Sequence, residues 1–328
     1  MSTTPHPPVA TRVRSIRIEA DGIRSFELWP VTGTLSESEA GAHVDVHLPG
    51  GLTRQYSLIN PGESHRYIIA VNRDPSSRGG SRYLHEQVQV GDELLIGLPR
   101  NHFPLNEAAP HSVLIAGGIG VTPLLAMARR LSRLGRSWTF YYCARTRARA
   151  AFLEALAQLA GHAADATLHC IFDGEPGQAA LELAPVVGKH AGADFYCCGP
   201  SPLLDAFTEA CAAIAPERVH VEFFGAARNA QDGSVAQQAA RPFQVVLNSS
   251  GRTLDVPADR SLLDVLLEHG LPVFSSCREG ICGSCETQVL AGEPDHHDRV
   301  LTPQERATGR TMMVCVSRCK GESLVLAL

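Results

Sequence analysis

Apolar and polar side chains alternate with a period of two through most of residues 11 to 105, the spacing of strands with one face in a core. VRSIRIEADGIRSFEL alternates on both sides of Asp21-Gly22, a hairpin signal. HVDVHLPGGLTRQYSLI carries two more runs around Gly50-Gly51, and YIIAVNR a further one. Short strands at this spacing predict a small antiparallel barrel, with a helix expected from Tyr83 to Val88. From 112 to 224 the pattern changes. SVLIAGG, SWTFYYCAR, ATLHCIF, ADFYCCG and RVHVEFF read as strands. VTPLLAMARRLSRLG, AAFLEALAQLAGH and PSPLLDAFTEACAAI between them repeat at helical spacing. Strands alternating with helices predict a parallel, doubly wound α/β sheet. After residue 241, PFQVVLN, RTLDVPA and ESLVLAL read as strands and SLLDVLLEHG as a helix, a small α+β module. Ala226 to Arg241 has almost no large apolar residue and reads as a linker.

The division expected is therefore 1–107, a β-barrel domain; 108–228, an α/β domain; 229–241, a linker; and 242–328, the third domain. Composition changes this picture little. A chain of 328 residues with 44% hydrophobic and 19% charged residues is ordinary for a globular protein of two or three domains. The formal net charge of −5 argues against nucleic acid as a partner, because phosphate binding needs clustered Lys and Arg. The most apolar stretch, Val113 to Ala128, is broken by glycines and a proline and is too short for a membrane span. The N-terminal residues lack the apolar core of a secretory signal, so a cytoplasmic protein with no membrane association is expected. No heptad repeat or large apolar stripe suggests an obligate dimer, and a monomer is expected.

Ten cysteines need a reason in a reducing compartment, where a disulfide framework does not form. Four are patterned. Cys277, Cys282 and Cys285 follow C-x4-C-x2-C, and Cys315 lies further on, the plant-type ferredoxin spacing for a 2Fe–2S cluster. Four thiolates must surround two irons, and three come from one tight loop. Gly280 and Gly283 let that loop curl and turn its N–H groups toward the sulfurs. Zinc is the competing reading, but zinc sites pair C-x2-C units and only one is present. Cys319 reads as a bystander. His296 and His297 raise a Rieske-type arrangement, which their setting in GEPDHHDR, read as an exposed turn, argues against.

Three other segments can bind nucleotides. Arg54-Gln55-Tyr56-Ser57 places a cation, a ring and a hydroxyl on one strand, as flavin binding requires; an edge strand with a packed tyrosine fits as well. Arg78-Gly79-Gly80-Ser81 precedes the expected helix, where glycines and a hydroxyl make either a phosphate site or a plain capped turn. Ala116-Gly117-Gly118-Ile119-Gly120-Val121-Thr122-Pro123 joins a buried strand to a helix as a dinucleotide turn does, without being G-x-G-x-x-G. Cys198-Gly199-Pro200 ends a later strand of the same sheet, so both glycine turns open onto its carboxyl edge.

In this order the segments resemble the phthalate dioxygenase reductase family, which includes the vanillate O-demethylase reductases, over nearly the whole chain. RQYSL is similar to the family's flavin-strand motif, RGGS to its FMN phosphate loop, and GGIGVTP and CCGP to its nicotinamide motifs. The cysteine loop is similar to its C-terminal β-grasp ferredoxin. The resemblance implies FMN held by Arg54, Tyr56, Ser57, Val71, Gly79, Gly80 and Ser81. It implies NADH held by Gly117, Gly118, Gly120, Thr122, Pro123, Cys198, Gly199 and Pro200. It implies Phe224 against the flavin ring. Thr122, Cys198 and Phe224 are the candidates for lining the hydride path. Arg145, in Arg145-Thr146-Arg147, is a further cofactor candidate: it either reaches a 2′-phosphate or is a solvated helix start.

The expected function is a reductase that takes hydride from NADH on FMN, passes electrons singly to its own 2Fe–2S cluster, and delivers them to a separate Rieske-type oxygenase. A cytochrome P450 is the alternative acceptor, and a redox sensor the alternative of another class. Residues 242–328 hold eleven Asp and Glu against eight Lys and Arg, which suits either docking on a basic patch or plain solvation.

Overall fold

The computed structural model describes residues 7–75, 77, 79–163, 165–224 and 241–328. The linker expected at Ala226–Arg241 lies outside the described residues except for Arg241, and Arg78 lies outside them as well. Contacts divide the chain into two units, 1–224 and 225–328.

The first unit begins with six strands: β1 (Val9–Ala20), β2 (Ile23–Pro30), β3 (His43–Leu48), β4 (Leu52–Ser57), β5 (Tyr67–Asn72) and β6 (Glu93–Ile96). Their order is β4-β3-β6-β1-β2-β5, all neighbours antiparallel. Just beyond β4, Leu58 bridges Ile69 and the Ile59 N–H donates to Ile68 O at 3.0 Å, so the ribbon's two edges meet and close a barrel. Inward positions, among them Val13, Phe26, Leu28, Val44, Val46 and Ile69, fill its core. β6 is not among the strands the pattern predicts. Its four residues ELLI are too short to alternate legibly, and they are strand because β1 and β3 pair with them on either side. Helix α1 (Gly80–Glu86) starts three residues earlier than expected, because the chain turns into it directly at Gly79.

A parallel sheet follows. β7 (His111–Gly117), β8 (Ser137–Ala144), β9 (Ala166–Phe172), β10 (Asp194–Gly199) and β11 (Val219–Phe223) stand in the order β11-β10-β7-β8-β9. Helices α2 (Val121–Arg133) and α3 (Leu153–His162) pack on one face, around Trp138, Phe140 and Tyr142. Helices α4 (Leu183–Lys189) and α5 (Ser201–Ala210) cover Phe195 and Cys197 on the other. α2 buries every residue from Val121 to Ala128, and Leu131 beyond them, so its first two turns are enclosed on all sides. Truncating Leu124 or Leu125 to Ala costs about 2–5 kcal/mol on this basis. Barrel and sheet are held together within this unit. The Arg129 guanidinium donates to Ile59 O at 2.5 Å and that of Arg133 to Pro61 O at 2.8 Å, while Ile23 and Ala70 of the barrel pack with Ala151.

The second unit is a β-grasp. β12 (Phe243–Leu247), β13 (Thr253–Val256), β14 (Glu286–Ala291), β16 (Thr311–Met313) and β18 (Ser323–Leu326) form a sheet of order β13-β12-β18-β14-β16. The β12–β18 pair is parallel and the others antiparallel. Helix α6 (Leu262–Glu268), capped by the Ser261 hydroxyl, packs four apolar residues against it. A short ladder of β15 (Pro294–Asp295) with β17 (Arg318–Cys319), and a helix α7 (Pro303–Thr308), complete it.

GEPDHHDR is not an exposed turn throughout, contrary to the reading of its sequence. His297 is exposed, but Asp298 is 3% exposed and only 9% of the His296 side chain is accessible. A polar string hides a buried carboxylate when neighbouring N–H groups satisfy it, and here Val300 and Leu301 do so.

Every buried core cluster lies within one unit or the other. A chain ended near Gln238 is therefore expected to fold, retain FMN and oxidise NADH with ferricyanide, and residues 242–328 to fold around their own iron and sulfide. Circular dichroism melting and flavin fluorescence of the two pieces check this. Insoluble or flavin-free pieces would mean one cooperative core.

Candidate cofactor and electron-transfer sites

On the barrel, β4 carries Arg54, Tyr56 and Ser57. The Ser57 hydroxyl is buried, and no protein group among the described residues hydrogen-bonds it. That orphan is what a bound polar ring would satisfy. Burial pushes the Tyr56 phenol above its ordinary range, so the ring stays neutral. Arg54 lies across the glycine loop: a Cβ at Gly80 would stand 2.5 Å from Arg54 Cγ. Guanidinium and loop, 26 residues apart in sequence, thus share one place. Gly79 enters α1 with φ 104° and no side chain caps the helix, while the Ser81 hydroxyl accepts from the Asp74 N–H at 3.2 Å. Val71 differs from these. Its side chain is buried in the barrel core, it is registered with Arg24 in the β2–β5 ladder, and its carbonyl accepts from His85 Nε2 at 2.8 Å.

The two glycine turns of the parallel sheet meet. A Cβ at Gly199 would stand 3.0 Å from Gly117 Cα, and one at Gly120 only 2.1 Å from the Cys198 carbonyl oxygen. No larger residue fits at these positions, so bare backbone lines the carboxyl edge where β7 and β10 end. A Cβ at Gly117 would also stand 2.6 Å from Pro200 Cδ, and the Tyr142 hydroxyl donates to Gly118 O at 3.3 Å. Thr122 and Pro123 are buried in the first turn of α2, with the Thr122 hydroxyl donating to Ile119 O. Cys198 is fully buried, and burial first, then Glu222, pushes its thiol well above the ordinary range. It is therefore a neutral wall, not a nucleophile. Phe224, directly after β11, is 43% exposed. Arg145 is exposed at the end of β8, 3.7 Å from Asp173 at the end of β9.

Sequence reasoning missed Glu222 and Asp173. Glu222 pairs with Cys198 across β10 and β11, and its Oε2 is buried with no hydrogen-bond partner. Burial pushes its carboxyl up to about 8. An acidic residue inside an apolar strand, VEFF, was the available signal. Asp173 carried none, since only folding brings it to Arg145.

In the second unit the four patterned cysteines fall into two pairs. The thiol of Cys282 lies against that of Cys277, and the thiol of Cys315 against that of Cys285. The neighbouring thiol lowers Cys282 and Cys315 below the ordinary thiol range. Among the described residues no group of three or more His, Cys, Asp or Glu gathers as a single-ion site. Two thiol pairs suit two irons. Backbone N–H groups point at the sulfurs: Ile281 at Cys277, Ser284 at Cys282, Gly280 at Cys315 and Cys315 at Cys285. The Glu279 N–H lies 3.3 Å from Cys277 Sγ. Reaching this requires left-handed backbone at Arg278, Gly280 and Gly283, with φ of 58°, 69° and 70°. At Arg278 this costs roughly 1–2 kcal/mol. Cys319 is apart, its thiol near Ser323 O.

The fold and these sites define a flavin- and nicotinamide-binding reductase joined to a plant-type ferredoxin. Residues 245–320 match the 2Fe–2S iron-sulfur cluster binding domain. The chain is similar to the phenoxybenzoate dioxygenase subunit beta of Ectopseudomonas oleovorans, 48% identical over 324 residues, 98% of each chain. Phthalate dioxygenase reductase, described in its structure as modular for electron transfer from pyridine nucleotides to 2Fe–2S, is 39% identical with a TM-score of 0.68 and 98% coverage of both chains. An intact type IV self-sufficient cytochrome P450 monooxygenase matches 98% of this chain at 38% identity and a TM-score of 0.87; this chain spans 41% of it. The chain belongs to the phthalate dioxygenase reductase family. It is an NADH-dependent oxidoreductase that uses FMN and one 2Fe–2S cluster. No helix among the described residues is long and apolar enough to cross a membrane.

Glu222 gives a pH test. Its folded carboxyl holds a proton up to about pH 8, whereas the unfolded one releases it near 4.5. The folded state binds the extra proton between these values, so stability falls as pH rises from about 4.5 to 8. Glu222→Gln is expected to remove that slope and to raise the Tm relative to the parent protein at pH 8.5 more than at pH 5. Parallel Tm–pH curves would show that Glu222 ionises freely.

Proposed function

We propose that this chain is the reductase component of a Rieske-type oxygenase system, a cytoplasmic monomer delivering electrons to a separate oxygenase. The observation that carries the reading is one chain holding both a flavin–nicotinamide crevice and two thiol pairs for an iron–sulfur cluster. When bound, FMN accepts a hydride and gives electrons up singly, and the cluster takes them one at a time. The side chains have no acid–base work in this. They bind, orient and exclude water.

The work falls to three modules, with residues 1–107 serving FMN, 108–228 NADH and 242–328 the cluster, joined by 229–241. Arg54 and Ser57 hold polar groups of the flavin, Tyr56 covers its ring, and Val71 backs the site from β5. Gly79, Gly80 and Ser81 seat its phosphate on N–H groups. The bare backbone at Gly117, Gly118, Gly120, Gly199 and Pro200 lets NADH approach closely, with Thr122 and Pro123 below it. Thr122, Cys198 and Phe224 line the hydride path. Arg145 reaches the adenosine end, where the Asp173 carboxylate disfavours a 2′-phosphate and so favours NADH. Cys277 and Cys282 hold one iron, Cys285 and Cys315 the other. The acidic balance of the third module suits a basic docking face on the oxygenase. A cytochrome P450 acceptor is a second reading, supported by the likeness to part of a self-sufficient P450.

Cys315→Ser is expected to remove the cluster's visible and EPR signals and leave the flavin in place. NADH-dependent ferricyanide reduction, which flavin serves directly, should stay within about twofold, while cytochrome c reduction should fall more than about tenfold, roughly 1.4 kcal/mol in barrier terms. An unchanged iron–sulfur spectrum would take Cys315 out of the ligand set and make Cys319 the next candidate.

A further inference from the structure

We propose that Asp298 is a positioning residue for the cluster, holding Gly280 so that its N–H points at the sulfur of Cys315. The inference rests on the four-cysteine reading above. Asp298 lies 13 residues from the nearest of those cysteines in sequence, and its carboxylate partners are other groups.

Asp298 is 3% exposed, and its Oδ2 accepts the N–H groups of Val300 at 3.1 Å and Leu301 at 2.9 Å. These two bonds fix the turn that contains Arg299. The Arg299 N–H donates to Gly280 O at 2.8 Å. Gly280 is wedged as well: a Cβ there would stand 3.0 Å from Asp298 Cα and 2.5 Å from Val316 Cγ2. With its carbonyl held and φ at 69°, Gly280 is fixed in an orientation that aims its N–H at Cys315 Sγ. The same carboxylate also ties down the segment that follows Cys315. Ser317 Oγ donates to Asp298 Oδ1 at 3.4 Å and accepts from the His297 N–H at 3.2 Å.

Arg306 compensates the buried charge. His296 Nδ1 lies 3.6 Å from Oδ1, Arg306 lies 3.7 Å from Oδ2, and the Arg306 guanidinium donates to the Asp298 carbonyl. A carboxylate placed this way costs desolvation that a neutral side chain would not. Its use is geometric. An N–H aimed at a cluster sulfur stabilises the extra negative charge of the reduced cluster, and hydrogen bonds to sulfur are one of the main determinants of cluster potential. Asp298 therefore makes the cluster a better electron acceptor for the flavin, without touching it.

Removing a charge near a cluster shifts its potential by itself, so the test compares two variants that remove the same charge. Asp298→Asn keeps an oxygen to accept from Val300 and Leu301; Asp298→Ala does not. In the full chain, EPR-monitored redox titration of the cluster is expected to give the Ala variant a reduction equilibrium at least about tenfold less favourable than the Asn variant, about 59 mV for one electron. Iron content and the visible spectrum should match the parent protein in both. If the Ala variant assembles no cluster, Asp298→Ser, whose single shorter oxygen holds the turn less firmly than the Asn amide does, replaces it and should fall below Asn by a smaller margin. Equal potentials for Asn and for Ala or Ser, with iron intact, would overturn the proposal alone. Absence of iron from the parent protein would overturn the four-cysteine reading and this proposal together.

Discussion

Two backbones in contact set the geometry of the first unit. Gly117 and Gly199 end neighbouring strands of the parallel sheet so closely that a Cβ on Gly199 would stand 3.0 Å from Gly117 Cα. Because no side chain fills that edge, a nucleotide can lie directly on peptide groups. The same contact fixes the start of α2 and of α5, and with them Thr122 and Cys198. α2 then reaches back through Arg129 and Arg133 to the carbonyls of Ile59 and Pro61, just past β4. One helix thus indexes the barrel to the nucleotide crevice, as transfer of hydride between two bound rings demands.

The second unit solves a different problem with the same device. The loop that carries three of the four patterned cysteines must bend sharply. Left-handed backbone at Arg278, Gly280 and Gly283 makes the bend, and the N–H groups it turns inward offset the sulfur charges. In both units glycine serves where backbone must come close: to a neighbouring strand in one, to sulfur in the other.

Much of this was legible in the chain because it is local. Alternation marked the barrel strands, a change of period marked the parallel sheet, and C-x4-C-x2-C marked the cluster loop, since ligand spacing within a loop is a property of consecutive residues. What was not legible depends on distant partners. The strand Glu93–Ile96 exists because strands on both sides pair with it. Glu222 matters because a parallel neighbour sets it beside Cys198. Asp298 sat in a string that looked solvated, and only the fold shows two N–H groups closing on its carboxylate. That Cys282 stands against Cys277 and Cys315 against Cys285 was likewise beyond the spacing rule, which says nothing of which thiols meet.

One chain both accepts hydride and releases single electrons. Anaerobic titration with NADH, followed by absorption and EPR, measures this. Uptake of about three electrons per chain is expected, two for the flavin and one for the cluster, with an iron–sulfur EPR signal near one spin per chain at the end. Uptake of only about two electrons with no iron–sulfur signal would contradict it.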